Sequence, residues 1–292
     1  MISFADFEDI PALKKIWSDC FHDPEDYIDF YFMSGFKPEN TLVYRENGQL
    51  CAMVTLLPGF LRMEYKRKVL PVYYIYAAAT SPERQGRGIM KKLLSFAEEY
   101  AKSQGIQALT LVPGSASLFE YYQKLGYSTV FFYFQAAFSG KELARLPACP
   151  VTDQLDFDRF FQMREEFLSG FSASFFWERE ELTYIYREAE KTGGKLLNFC
   201  HNGLQGYAIC YKIGNDVIIK EAGTSVLALR PFLAGIHRYF NAENYFVRLY
   251  MRESSDFSEG QAVPFGMIKI LASDMSVSST DFSDAYMGLM LD

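Results

Sequence analysis

The chain has 292 residues, 49% apolar and 22% charged, with 27 Phe, 20 Tyr and 2 Trp; this content supports packed cores in about two domains and excludes a disordered chain. The formal net charge is −7, and the deficit lies in the second half: residues 1–145 hold 16 basic and 16 acidic side chains, residues 146–292 hold 13 and 20. That balance argues against nucleic acid as a partner, because phosphate neutralisation supplies most of such affinity.

The first half reads as mixed α/β. Asp9 to Phe21 carries Ile10, Leu13, Ile16, Trp17 and Cys20 at helical spacing. Thr41 to Tyr44 and Gln49 to Leu57 are strands around Glu46-Asn47-Gly48, a strong hairpin signal. A longer strand, Val69 to Thr80, runs into the turn Ser81-Pro82-Glu83-Arg84-Gln85-Gly86-Arg87-Gly88. The helix that follows has Ile89, Met90, Leu93, Leu94, Ala97, Tyr100 and Ala101 on one face and stops at Gly105. Ala108 to Val112 is a strand, Ser115 to Lys124 a short helix, and Ser128 to Ala137 a strand. Gly140 to Pro150, with two prolines, reads as a linker, separating a domain over residues 1–140 from one over 146–292.

The second half echoes this order. Lys195 to Cys200, Gly206 to Ile213 and Val217 to Ala222 are strands, the first two joined by His201-Asn202-Gly203. A helix from Ser225 to Phe240 and a strand from Tyr245 to Met251 complete a β-β-β-α-β series, an antiparallel meander giving way to parallel pairing. Ser273 to Asp284 reads as a surface excursion, and Phe171 to Trp177 as core or as the wall of an acceptor pocket.

The chemistry concentrates between Tyr74 and Leu94. A strand, a glycine-bearing turn and an amphipathic helix leave the first helical N–H groups without internal partners, where glycines let a phosphate approach and the helix dipole favours it. A Walker loop would need Gly-x-x-x-x-Gly-Lys-Ser/Thr, which is absent, and a dinucleotide fingerprint would need glycine where Lys91 stands. The basic clusters Lys66-Arg67-Lys68 and Arg84/Arg87/Lys91/Lys92 suit a small polyanion, and the acidic second half suits a cation, if it is more than a solvated face.

Gln85-x-x-Gly88-x-Met90, preceded by Thr80-Ser81-Pro82-Glu83, resembles the pyrophosphate loop of the GNAT superfamily of acetyl-CoA-dependent N-acetyltransferases. Met90 departs from the small residue usual there, as in members resembling the enhanced-intracellular-survival (Eis) type. A second landmark, Tyr121-Tyr122-Gln123-Lys124-Leu125-Gly126-Tyr127, stands in the right order after it. The resemblance is strong over residues 40–135; over the second half it rests on topology and is similar to the tandem-GNAT layout. It implies an α/β mixed-sheet chain of two GNAT folds, the second degenerate, because Glu221-Ala222-Gly223-Thr224-Ser225 lacks the glycine turn.

From the resemblance, one acetyl-CoA per chain is expected, its diphosphate on Gln85, Gly86, Arg87, Gly88, Ile89, Met90 and Lys91. Its arm would pair with the main chain of Ala78, Ala79 and Thr80. The Ala78 N–H would face the thioester oxygen, and Tyr122, with Tyr121 as the alternative, would protonate the departing thiolate. The acceptor is a primary amine on a small molecule or peptide, and its base is left open between Glu120, the acidic second half and a chain of waters. The degenerate half would shape the acceptor cleft or an oligomer contact. The competing function is a CoA- or acyl-CoA-binding module without turnover. Eis-type proteins carry a third, sterol-carrier-like domain whose terminal carboxylate acts as base; this chain ends too early for it, so that role does not pass to Asp292.

A cytoplasmic protein is expected, with neither metal nor membrane contact. No basic-then-apolar leader opens the sequence, and Val69 to Ala79, the longest apolar run, contains Pro71 and is far short of the ~20 residues of a membrane span. Five cysteines without a Cys-x-x-Cys pair oppose a disulfide or zinc framework, and Cys200 and Cys210 read as buried thiols. His22, His201 and His237 lack metal-ligand spacing.

Overall fold

Residues 1–250, 260–272 and 279–291 are described by the computed structural model. They divide into two units: Met1–Leu61, Val69–Ser128 and Met267–Val277 in the first, Arg62–Lys68, Thr129–Gly266 and Ser278–Asp292 in the second. This division differs from a single cut between residues 140 and 146. Gly140–Leu143 forms a turn of helix, and Leu143 and Cys149 join the core of the second unit, so the stretch that reads as a linker is packed structure.

In the first unit, β1 (Ile2–Phe4), α1 (Ile10–Phe21) and α2 (Glu25–Ser34) precede the hairpin of β2 (Thr41–Glu46) and β3 (Gln49–Met63). Asn47 and Gly48 hold φ of 51° and 81°, the left-handed pair that a two-residue hairpin turn requires. β4 (Lys68–Thr80), α3 (Ile89–Ser103), β5 (Ala108–Leu111) and α4 (Ala116–Gln123) follow. β1, β2 and β3 pair antiparallel, β4 and β5 parallel, and Met267–Ile270 adds an antiparallel segment beside β5. α2 was not legible in the sequence. It opens after Pro24, and its aromatic run Tyr27, Phe30, Tyr31, Phe32 blurs the helical period.

Two apolar groups cover this sheet. Leu93, Leu94, Ala97 and Ala101 of α3 pack with Ile75, Leu109, Leu111 and Tyr122. Elsewhere Trp17 of α1 lies 4.6 Å from the Tyr31 ring and 5.6 Å from Tyr76, and Tyr74 stacks on Tyr76 at 6.4 Å. Ile75 and its neighbours Tyr74 and Tyr76 thus join different groups, as the period-two pleat of a strand dictates.

The second unit contains β6 (Ser128–Ser139), α5 (Gly140–Leu143), α6 (Phe157–Leu168), β7 (Ala173–Trp177), α7 (Arg179–Lys191), β8 (Lys195–His201), β9 (Leu204–Ile213), β10 (Asp216–Thr224), α8 (Val226–Phe240), β11 (Asn244–Leu249) and the beginning of β12 (Gln261–Ile270). β8, β9 and β10 pair antiparallel, β10 and β11 parallel, and β11 and β6 antiparallel. The β-β-β-α-β series is therefore present with the pairing its order implies. α6, β7 and α7 are additions that the sequence reading left out.

Phe171, Phe175 and Trp177 are buried, so the Phe171–Trp177 stretch is core. Cys210 is buried as expected, but Cys200 is exposed, because the pleat turns Phe199 inward and its neighbour outward. Of the Ser273–Asp284 excursion, residues 273–278 lie outside the described residues, as do Met251 and Asp292, and Ser279–Phe282 is a 3-10 turn.

One polar group sits inside the second unit. Glu221 of β10, fully buried, accepts from Arg164 Nε at 2.9 Å, Tyr207 Oη at 2.7 Å, Tyr286 Oη at 3.2 Å and the Leu289 amide at 2.7 Å. Burial without these donors would be prohibitive for a carboxylate. Here both of its oxygens are satisfied.

Candidate active site

The β4–β5 ladder is short. Parallel pairing runs Val72↔Ala108, Tyr73↔Leu109, Tyr74↔Thr110 and stops, while β4 continues to Thr80. Within this extension Ala77 has φ of +49°, a left-handed conformation that is costly for a residue with a Cβ. The kink interrupts the pleat. Beyond it Ala78 lies against the α3 group and Ala79 is buried, so the small side chains leave the main chain of this segment approachable.

The turn after β4 is shaped by two further left-handed residues, Gly86 at 74° and Gly88 at 72°. A Cβ at either would meet nothing within 4 Å, so the glycines serve conformation and leave open space above the backbone. α3 starts at Ile89 with no side chain capping it. Its first turn bonds only from the Lys92 amide to Gly88 O, at 3.2 Å. Among the described residues, the N–H groups from Gly86 to Lys91 donate to no protein acceptor. Consecutive free donors at the positive end of a helix form an anion cradle.

The cations around it are not equivalent. Arg84 is ion-paired with Glu46, and Arg87 Nη1 stands 3.7 Å from the same carboxylate, whereas Lys91 and Lys92 are exposed on α3. The β2–β3 hairpin thus offsets part of the basic cluster that the sequence presents. Gln85 reaches back to donate from Nε2 to Thr80 O at 3.1 Å.

Tyr122 stands on α4, 7% exposed, in the same apolar group as Ile75 and Leu111 and with Ala78 packed against that group. Its ring meets Tyr121 at 5.3 Å and Tyr127 at 5.6 Å, both edge-on. Burial, then the neighbouring Tyr121 phenol, push its ionisation up to about 12. Tyr121 is half-buried and raised by burial alone. Glu120, on the same helix, is exposed.

Sequence reasoning missed two features. Nothing in Ala77-Ala78-Ala79 announces a positive φ, which occurs three residues beyond the last β4–β5 pair. Cys20 of α1 reads in the sequence only as part of an apolar helix face, yet its Sγ lies 3.3 Å from Thr80 O. In the second unit the β10–β11 register likewise ends early, at Ile219↔Val247, and on its other edge the β10–β9 register shifts between Ile219 and Glu221. There α8 starts from extended Ser225 without a left-handed glycine before it, and Glu221 binds the Leu289 amide. Among the described residues no group of three or more His, Cys, Asp or Glu is placed to hold a metal ion, and no helix is long and apolar enough to cross a membrane.

Residues 2–130 match the model of the acetyltransferase (GNAT) domain family. No curated protein matches the chain. A conserved protein of unknown function from Enterococcus faecalis V583 is 15% identical, with 93% of this chain and 72% of that one covered at a TM-score of 0.73. A GCN5-related N-acetyltransferase from Anabaena variabilis ATCC 29413 is 17% identical, covering 93% and 73% at 0.71. Eis1 from Mycobacterium abscessus is 10% identical, covering 93% and 74% at 0.69. At these identities the likeness is one of fold. The glycine turn, the diverging strands and the family match coincide in one stretch of chain: residues 2–130 are a GNAT acetyltransferase domain, within a mixed-sheet fold of Eis-like type.

Proposed function

We propose that this chain is an N-acetyltransferase, moving acetyl from acetyl-CoA to a primary amine of a small molecule or peptide by direct attack. The observation that carries this reading is the row of unpartnered N–H groups from Gly86 to Lys91, set after a strand that has left its neighbour. A diphosphate suits the first feature, and an extended amide-bearing arm suits the second. Thr80 Oγ1, a buried hydroxyl with no partner, adds a polar group in want of a ligand.

Acetyl-CoA supplies the activated acyl group; the chain's residues hold and polarise it. The Ala78 N–H donates to the carbonyl oxygen, where negative charge grows during attack. Burial keeps Tyr122 protonated up to about pH 12, so it is a donor at neutral pH, and in this reading it gives its proton to the leaving sulfur. The amine has to arrive neutral, since an alkyl ammonium of pKa ~10.4 has no lone pair to offer. Glu120, exposed beside Tyr121, is the candidate base in the first unit.

The test is release of free thiol from acetyl-CoA over a panel of amines. Turnover on any primary amine supports the reading. Thermal stabilisation by CoA with no thiol released on any amine would instead make the chain a binding module.

A further inference from the structure

Thr80 ends β4, and its two oxygens have opposite fates. The carbonyl oxygen accepts from Gln85 Nε2 at 3.1 Å and lies 3.3 Å from Cys20 Sγ, so both lone pairs are engaged, one from the loop and one from α1. The hydroxyl Oγ1 is buried and has no hydrogen-bond partner. Among the described residues it is the one side-chain atom of the first unit in that condition. A buried hydroxyl without a partner costs stability, and such a cost is retained where a ligand relieves it.

Its position says which ligand. Thr80 lies beyond the last β4–β5 pair and one short turn before the Gly86–Lys91 cradle. A molecule whose anionic end rests in that cradle and whose body follows β4 passes Thr80 between the two. With the carbonyl saturated, the main chain at this residue offers no free acceptor, and the hydroxyl is the acceptor Thr80 has left for an amide N–H of the arm. We propose that the Thr80 hydroxyl is the hydrogen-bond partner of an amide in the extended arm of the acyl carrier, with Gln85 and Cys20 as positioning residues that hold Thr80 by its carbonyl. This rests on the acetyl-CoA reading above, and it assigns to a side chain the recognition that the main chain would otherwise make.

The test is calorimetric titration of CoA, and of adenosine 3′-phosphate 5′-diphosphate, which keeps the phosphates and lacks the arm. Thr80→Val is close to isosteric and Thr80→Ser keeps the hydroxyl. In Thr80→Val the Kd for CoA should rise about five- to tenfold, the strength of one neutral hydrogen bond, with the Kd for the armless nucleotide unchanged. Thr80→Ser should bind CoA within about twofold of wild type, and ligand-free Thr80→Val should melt at the wild-type temperature or above it, because an unsatisfied hydroxyl has been removed. Equal CoA affinity in Thr80→Val and wild type overturns the proposal. So does an equal loss for both ligands, which would signal structural damage. Gly88→Glu separates the two readings: if it leaves CoA binding intact while Thr80→Val weakens it, the cradle assignment falls and the Thr80 role stands. A wild-type chain that binds neither ligand refutes both.

Discussion

The Gln85 carboxamide donates to the carbonyl of Thr80 across 3.1 Å, tying the start of the glycine turn to the end of β4. The bond fixes where the cradle begins relative to the strand. Removing it in Gln85→Ala should weaken CoA binding about fivefold, the value of one hydrogen bond, while an exposed side chain leaves the melting temperature within about 1 °C. Titration calorimetry and a thermal melt on the same preparation check both outcomes.

Gly88 combines a left-handed φ of 72° with open space above its Cα. A Cβ there meets nothing within 4 Å, so glutamate strains the backbone by roughly 1 kcal/mol and sets a carboxylate near where the diphosphate would rest. CoA affinity should fall about 100-fold or more from like-charge repulsion, and wild-type affinity in Gly88→Glu would refute the cradle.

Tyr122→Phe preserves the ring that packs beside Tyr121 and Tyr127 and removes only the proton donor. Turnover should drop about 100-fold with CoA affinity unchanged, which steady-state kinetics and direct binding distinguish. If Tyr121 is the acid, Tyr121→Phe shows that loss instead.

Burial also sets an alkaline limit. Tyr31 and Tyr122 ionise at about 12 in the fold against an ordinary 10. Below pH 10 native and unfolded chains both keep these phenols protonated, and the stabilisation is complete. Between 10 and 12 the unfolded phenols lose protons that the native ones retain, so stability falls as pH rises. Melting temperature followed across that window should decline, and less steeply in Tyr122→Phe.

The Arg164–Glu221 pair makes a different prediction. Their side chains are 1% and 0% exposed, and Glu221 also binds Tyr207, Tyr286 and the Leu289 amide. Glu221→Ala leaves a guanidinium buried without its counter-charge and should destabilise the second unit by about 3–5 kcal/mol, read from urea unfolding. Replacing Arg164 by Met in the same chain should recover part of that loss, since the stranded charge is then gone.

Much of this fold is legible in local sequence. Asn47-Gly48 and Asn202-Gly203 specify hairpins because both positions of each turn need positive φ, and few residue types accept it. α3 is marked by its apolar face, and the glycine turn by Gly86 and Gly88, since an anion cradle is built from contiguous backbone. What tertiary structure alone decided is of another kind. The left-handed Ala77 stands three residues beyond the last β4–β5 pair, in a segment whose pairing depends on strands distant in sequence. The saturation of Thr80 O by Gln85 and Cys20, the burial that raises Tyr122, and the meeting of Arg164 with Glu221 join residues that only packing brings within reach. Local backbone preferences act over a few residues and can be read in order. Desolvation and hydrogen-bond saturation depend on every neighbour in space, and the order of residues does not list those.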